Sequence, residues 1–228
     1  MVEQRIKSKI RVAEISSATF DLHEYGVNVR SREIYLHGWH GTTEEEFVPG
    51  MEYRMATKFI KNLHLLNNQS ALPIIVHQHT CGGIWEHGMA IYDAIVASSA
   101  PVIMVAYAHA RSMSSITLQA ADLRVLMPNC LFMIHQGTGA IDDTVRGVLS
   151  WAEILKRDIN TMMDIYAKRS SFGRAAIQAQ MEKNQEWYLS ADDAVAHDFA
   201  DGVFGRRGFE SLSKIRARKT RKCRKVMK

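Results

Sequence analysis

The chain has 228 residues, 46% of them hydrophobic and 23% charged, and a formal net charge of +5. That is enough apolar material for one sizeable core, and the length favours a single domain over several. No run reaches the roughly 18 apolar residues of a membrane span, and Met1 to Arg11 lacks the apolar centre of a secretory signal, so a cytoplasmic protein with no membrane contact is expected. Three cysteines, Cys81, Cys130 and Cys223, show no Cys-x-x-Cys spacing, which argues against a disulfide framework or a zinc site. No metal or other cofactor is expected. The positive charge is local: residues 206–228 hold 11 Lys or Arg and one acid, Glu210, which leaves residues 1–205 with a net charge of −5.

Residues 1–30 resist assignment and are treated as an N-terminal segment. Ile34-Tyr35-Leu36 is the first core strand. Thr43 with Glu46 reads as a capping box, followed by a helix whose apolar face carries Met51, Met55, Phe59 and Leu63. Ile74-Ile75-Val76 after Pro73 is a short continuous apolar run, as expected of a strand buried on both faces. A helix over Gly88 to Val96, a strand over Val102 to Ala106, a helix from Ser112 to about Ala121, and strands over Leu123 to Leu126 and Leu131 to His135 complete an alternation. It predicts an α/β domain with a mainly parallel sheet.

Residues 142–168 contain no Pro and one Gly, and read as one helix about 40 Å long, more than a small domain spans. Val145, Val148, Ala152, Leu155, Ile159, Met162 and Tyr166 alternate spacings of three and four, while Trp151, Ile154 and Ile165 lie off that seam. Either this face covers the chain's own core or it projects toward a partner subunit. A shorter helix runs to about Lys183, Ser190 with Asp193 caps another, and Gly202-Val203-Phe204 forms a last edge strand. The folded body thus spans 31–205, and 206–228 is a basic tail expected to be disordered. Lys214 to Lys228 has nine Lys or Arg and no acid. Docking of this tail on nucleic acid or an acidic partner is the alternative.

Three features bear on chemistry. Gly82 and Gly83, between a buried strand and a helix, expose backbone N–H groups that suit a phosphate or an oxyanion, and no Gly-x-Gly-x-x-Gly or Gly-Lys-Ser/Thr element accompanies them. Ser112 sits where a strand turns into a helix, a place that presents a hydroxyl at the sheet edge. Spacing alone does not choose between it and Ser114 or Ser115. His135 ends the apolar run Leu131-Phe132-Met133-Ile134, a place that also suits a structural histidine.

Thr80-Cys81-Gly82-Gly83, Gly88-Met89-Ala90-Ile91-Tyr92-Asp93, Ala110-Arg111-Ser112-Met113, Met127-Pro128-Asn129, Met133-Ile134-His135-Gln136 and Leu189-Ser190-Ala191 occur in one order. In that order they resemble the ClpP family, the proteolytic subunit of the ATP-dependent Clp protease, over roughly residues 32–204. A divergent or phage-type member fits the chain's departures from the family pattern. The resemblance implies an α/β fold of the ClpP/crotonase type, built from repeated β-β-α units with a long projecting handle helix. It implies a serine endopeptidase with Ser112 as nucleophile, His135 as general base, and the N–H groups of Gly83 and Met113 as oxyanion hole. Counting back from Leu189-Ser190-Ala191, Glu186 stands where the family's triad Asp is. Asp192 and Asp193 are poorer substitutes.

The family also implies homo-oligomeric rings of seven, single or paired as a tetradecamer, an AAA+ unfoldase partner, and unfolded polypeptide substrates. Several positions depart from the pattern. Thr80-Cys81 replaces the usual Ser-Pro, Arg111 precedes the nucleophile, and Asn184-Gln185 replaces an Asp-Arg pair that helps rings meet. These departures keep two alternatives open: a non-catalytic ring subunit and a phage capsid- or scaffold-processing protease. An acyl-CoA enzyme of the crotonase fold would not need a Ser and His pair.

Overall fold

The computed structural model describes residues 17–37, 50–183 and 186–218. In chain order they form α1 (Asp21–Tyr25, a single π-helical turn), β1 (Val27–Asn28), β2 (Glu33–His37), α2 (Tyr53–Gln69), β3 (Ile74–His79), α3 (Trp85–Ala97), β4 (Val102–Ala106), β5 (His109–Arg111), α4 (Met113–Gln119), β6 (Leu123–Leu126), β7 (Leu131–His135), α5 (Val145–Arg169), α6 (Arg174–Lys183), β8 (Glu186–Leu189), α7 (Ala191–Ala196), β9 (Gly202–Val203) and α8 (Leu212–Arg216). The result is a mixed α/β fold, as expected from the alternation.

A six-stranded sheet runs β1-β2-β3-β4-β6-β9, parallel throughout except for β1. Its central strands are buried on both faces, which is why Ile74 to Val76 and Val102 to Ala106 read as unbroken apolar runs. Helix α2 begins later than the sequence suggests. Glu52 is its cap, accepting from the N–H groups of Arg54 and Met55, and Met51 lies just before the helix in an extended bridge to Gly83. Thr43 and Glu46 lie outside the described residues, as do Asn184 and Gln185.

The second sheet was not legible in the sequence. Its three strands, β5-β7-β8, pair in parallel (β5 with β7) and antiparallel (β7 with β8). Its inner face rests on an aromatic cluster in which Phe132 stacks on Phe199 at 5.1 Å between centroids and Trp187 meets Phe199 edge-on at 5.6 Å. Tyr166 of α5 joins this cluster, fully buried, with its hydroxyl 2.6 Å from Ser115 Oγ. Burial pushes the Tyr166 hydroxyl's pKa well up, so it stays a neutral hydrogen-bonding group.

Helix α5 therefore divides its length, about 37 Å over 25 residues, into two parts. Met162, Met163, Ile165 and Tyr166 are buried against the body, whereas Val145 is 80% exposed and Leu149 and Ile154 also face outward. The C-terminal half of the helix covers the chain's own core, and the N-terminal half carries its apolar side chains exposed.

The expected boundary at residue 205 is corrected by the segment that follows. Phe209 and Ile215 are buried in a second apolar cluster with Ile75, Ile103, Val105, Leu123 and Val125, and α8 is capped by Ser211. Arg216 closes the contact by pairing with Glu33 at 2.9 Å and donating to the Ser31 carbonyl. Burial of three-residue-spaced apolar side chains outweighs the local basic charge here, so folding extends at least to Arg218. Residues 219–228 lie outside the described residues. Ile215→Ala is expected to cost about 2–4 kcal/mol, the range for emptying a filled core site. Equilibrium denaturation checks this.

Candidate active site

Ser112 joins β5 to α4 with φ 52° and ψ −131°, a backbone conformation that costs a non-glycine residue about 1–3 kcal/mol. The strain is held by its neighbours: Ser112 N–H donates to the Met133 carbonyl, and its own carbonyl accepts from Ser115 N–H and from Ser115 Oγ at 2.7 Å. The turn throws the Ser112 side chain outward, toward the end of β7. Ser114 and Ser115 are fully buried, with Ser114 Oγ bonded to the Arg111 backbone and Ser115 Oγ to Ser112, Met133 and Tyr166. Among the three serines, Ser112 is the one turned toward His135.

His135 Nε2 lies 2.7 Å from Ser112 Oγ. For Oγ to donate, Nε2 must be bare, which puts the ring proton on Nδ1, facing β8. In the antiparallel register His135 is opposite Glu186, and Nδ1 stands 3.9 Å from Glu186 Oε1, with the carboxylate side chain 46% exposed. This is an ion-pair distance and longer than a hydrogen bond. The other carboxylate oxygen, Oε2, accepts from Tyr188 OH at 2.6 Å. Asp192 and Asp193 are engaged elsewhere: Asp192 pairs with Arg206 and Asp193 with Ser190.

Gly82 and Gly83 have φ of +127° and +143°, values that a side chain rarely adopts. A Cβ on Gly82 would fall 2.7 Å from Ser112 Cβ and 3.1 Å from Met113 N, so this loop passes directly against the serine turn. Met51 N–H donates to the Gly82 carbonyl and Ile84 N–H to the Met51 carbonyl, a parallel bridge that leaves the Gly83 N–H directed away from Met51. Met113, first residue of α4, has no carbonyl four residues back within the helix for its N–H. Gly83 and Met113 both line the cleft that holds Ser112.

A cleft of about 520 Å³ opens at this point, lined by Ser112, His135 and Gly83 together with Trp151, Leu155 and Met162 of α5. The arrangement can support attack by a serine hydroxyl on a carbonyl: a base is in hydrogen-bond reach, and the same cleft is lined by Gly83, Met113 and an apolar wall from α5. Partial burial lowers the His135 pKa below its ordinary value, an effect that Glu186 opposes. A reaction that needs neutral His135 is therefore lost only as pH falls through this lowered value. In Glu186→Gln the opposing attraction disappears, so the acid limb of the kcat/KM profile is expected to move further toward low pH.

A serine in hydrogen-bond reach of a histidine beside a glycine loop is the arrangement that acyl-transfer sites use, and comparison with known proteins places the chain in a family. The family model for Clp protease matches residues 47–207. The chain belongs to the Clp protease family. It is 30% identical over 156 residues to the ATP-dependent Clp protease proteolytic subunit of Deinococcus radiodurans, covering 67% of this chain and 76% of that protein. It is 29% identical over 188 residues to the ATP-dependent Clp protease proteolytic subunit 2 of Pseudomonas aeruginosa, covering 80% and 84%. The solved structure of a ClpP1 point mutant from Listeria monocytogenes shares the fold with a TM-score of 0.66, at 20% identity and covering 82% of this chain and 96% of that one.

Sequence reasoning missed two residues at the site. Met51, whose backbone holds the glycine loop, falls by periodicity within a helix that in fact starts after it. Tyr188 lies two residues from Glu186 on a strand that no sequence pattern marks. Arg111, noted as a departure beside the nucleophile, places its guanidinium 5.8 Å from the Tyr188 ring centroid.

Proposed function

We propose that this chain is a serine endopeptidase that cleaves unfolded polypeptides or peptides by way of an acyl-enzyme. The carrying observation is the 2.7 Å contact between His135 Nε2 and Ser112 Oγ in the cleft that Gly83 and Met113 also line. Ser112 Oγ attacks the peptide carbonyl carbon while Nε2 takes its proton. The Gly83 and Met113 N–H groups hold the resulting oxyanion. Collapse breaks the C–N bond as His135 returns the proton to the leaving amine, and a water activated by the same histidine then releases the acyl group.

Glu186 stands in this scheme as the acid that keeps the Nδ1 proton in place. At 3.9 Å and half exposed, it acts through a weaker field than a buried, hydrogen-bonded acid would. Glu186→Gln is thus expected to lower kcat about 10–100-fold, less than the roughly 10⁴-fold loss typical of a buried triad acid.

In this reading the chain assembles into a ring of seven, single or paired, with the sites facing an internal chamber in a cytoplasmic setting. The exposed apolar half of α5 supports such contacts, because a projecting helix with Val145, Leu149 and Ile154 outward gains by covering them. An ATP-driven unfoldase is the proposed feeder, in line with the relatives' names as ATP-dependent enzymes. The test combines particle mass with hydrolysis of short peptides and of an unfolded protein. A ring-sized particle that cleaves both supports the proposal, and a monomer that cleaves neither would overturn it.

A further inference from the structure

A glutamate in the place of an aspartate carries one more rotatable bond, and on an exposed strand position nothing intrinsic keeps its carboxylate on the imidazole. The second sheet supplies the missing restraint. Residues two apart on a strand share a face, so Glu186 and Tyr188 point the same way while Trp187 and Leu189 go into the core. Cross-strand register continues the pattern: His135 is opposite Glu186, and two residues along, on the same face, Arg111, Met133 and Tyr188 form a row. Tyr188 OH donates to Glu186 Oε2 at 2.6 Å, and Arg111 stands over the Tyr188 ring.

We infer that Tyr188 is a positioning residue for the proposed peptidase reaction: its hydroxyl restrains Glu186 so that Oε1 stays on the Nδ1 side of His135, with Arg111 steadying the ring. This deepens the peptidase proposal and rests on it. The hydrogen bond to the Glu186 carboxylate raises the Tyr188 pKa, and a phenol is a donor at neutral pH in any case. Tyr188 itself does not touch the reacting atoms. It acts through Glu186 on the orientation and charge of His135.

The tests are Tyr188→Phe, Glu186→Gln and the double variant, read by kcat, KM and pH profile on a short peptide. Tyr188→Phe is expected to lower kcat about fivefold to tenfold with KM within about twofold, and to move the acid limb to lower pH, since a carboxylate that swings away no longer supports the imidazolium. In the Glu186→Gln background the same change is expected to do nothing further. An unchanged kcat and acid limb in Tyr188→Phe, or an equal loss with and without Glu186, would overturn the role.

Titration of the His135 ring by NMR gives an answer even in a protein that hydrolyses nothing. A His135 pKa that falls in Tyr188→Phe, but shows no such fall when the same change is made in the Glu186→Gln background, supports the positioning role while the peptidase reading fails separately. Identical titrations with and without the Tyr188 hydroxyl would overturn it.

Discussion

In Ser112→Ala, peptide hydrolysis is expected to fall at least about 10⁴-fold, with the fold and particle mass unchanged. Loss of a nucleophile that works with its base as a unit removes nearly the whole covalent route, leaving what the oxyanion donors and binding contribute on their own. Alanine fits the same outward-facing turn, and the bonds that hold the turn use backbone atoms of Ser112 rather than its hydroxyl. The neighbouring serines supply the contrast. Ser114→Ala removes a buried hydroxyl that bonds the Arg111 N–H and carbonyl. Its expected cost is about 1–3 kcal/mol of stability, with the chemistry at Ser112 retained. Hydrolysis rates and denaturation curves measured on both variants separate the two roles. Comparable loss of activity in the two would mean that the turn, rather than the Ser112 hydroxyl, is what matters.

The second large effect is expected in Gly83→Ala. At φ +143° an L side chain is strained, and the added Cβ would fall inside van der Waals distance of the Met51 backbone. The loop has to move, carrying the Gly83 N–H away from the place where the proposed reaction forms its oxyanion. Losing one such donor costs roughly 10²–10³ in kcat. The side chains of α5 that line the cleft stay in place, so kcat is expected to fall far more than KM rises. Steady-state kinetics at several substrate concentrations tests the split. A change confined to KM would place Gly83 in substrate binding and leave the oxyanion to another donor.

The sequence reveals long, periodic features of this fold far better than short ones. Helix α5 was legible because its spacing persists from Val145 to Tyr166, most of its 25 residues, and β3 and β4 because burial on both faces writes them as unbroken apolar runs. Strands β5 and β8 are three and four residues long, too short for an alternation to register. Yet those two strands frame β7 and carry Arg111, Glu186 and Tyr188. The C-terminal helix was hidden differently: Phe209, Leu212 and Ile215 recur every third position, but the surrounding arginines and lysines dominate the composition.

The site divides along the same line. Gly83, Ser112 and His135 occupy recognisable junctions between strands and helices, so their convergence could be anticipated from the order of motifs. Choosing Ser112 over Ser114 and Ser115 on physical grounds required the turn itself, which buries the latter two hydroxyls. Glu186 was singled out by its offset from Leu189-Ser190-Ala191 in the family resemblance, but its place opposite His135, at 3.9 Å, follows from the antiparallel register of β7 and β8. Tyr188 had no signal of its own until that register was known.

A reactive Ser112 beside a neutral His135 is the feature on which the proposed chemistry turns. Its most direct test is to treat the protein with a fluorophosphonate at neutral pH and locate the adduct by mass spectrometry, in parallel with Ser112→Ala and Ser114→Ala. A single adduct on Ser112 that is absent from the first variant and present in the second is the predicted result. No adduct in a well-folded protein, or an adduct on another serine, would contradict it.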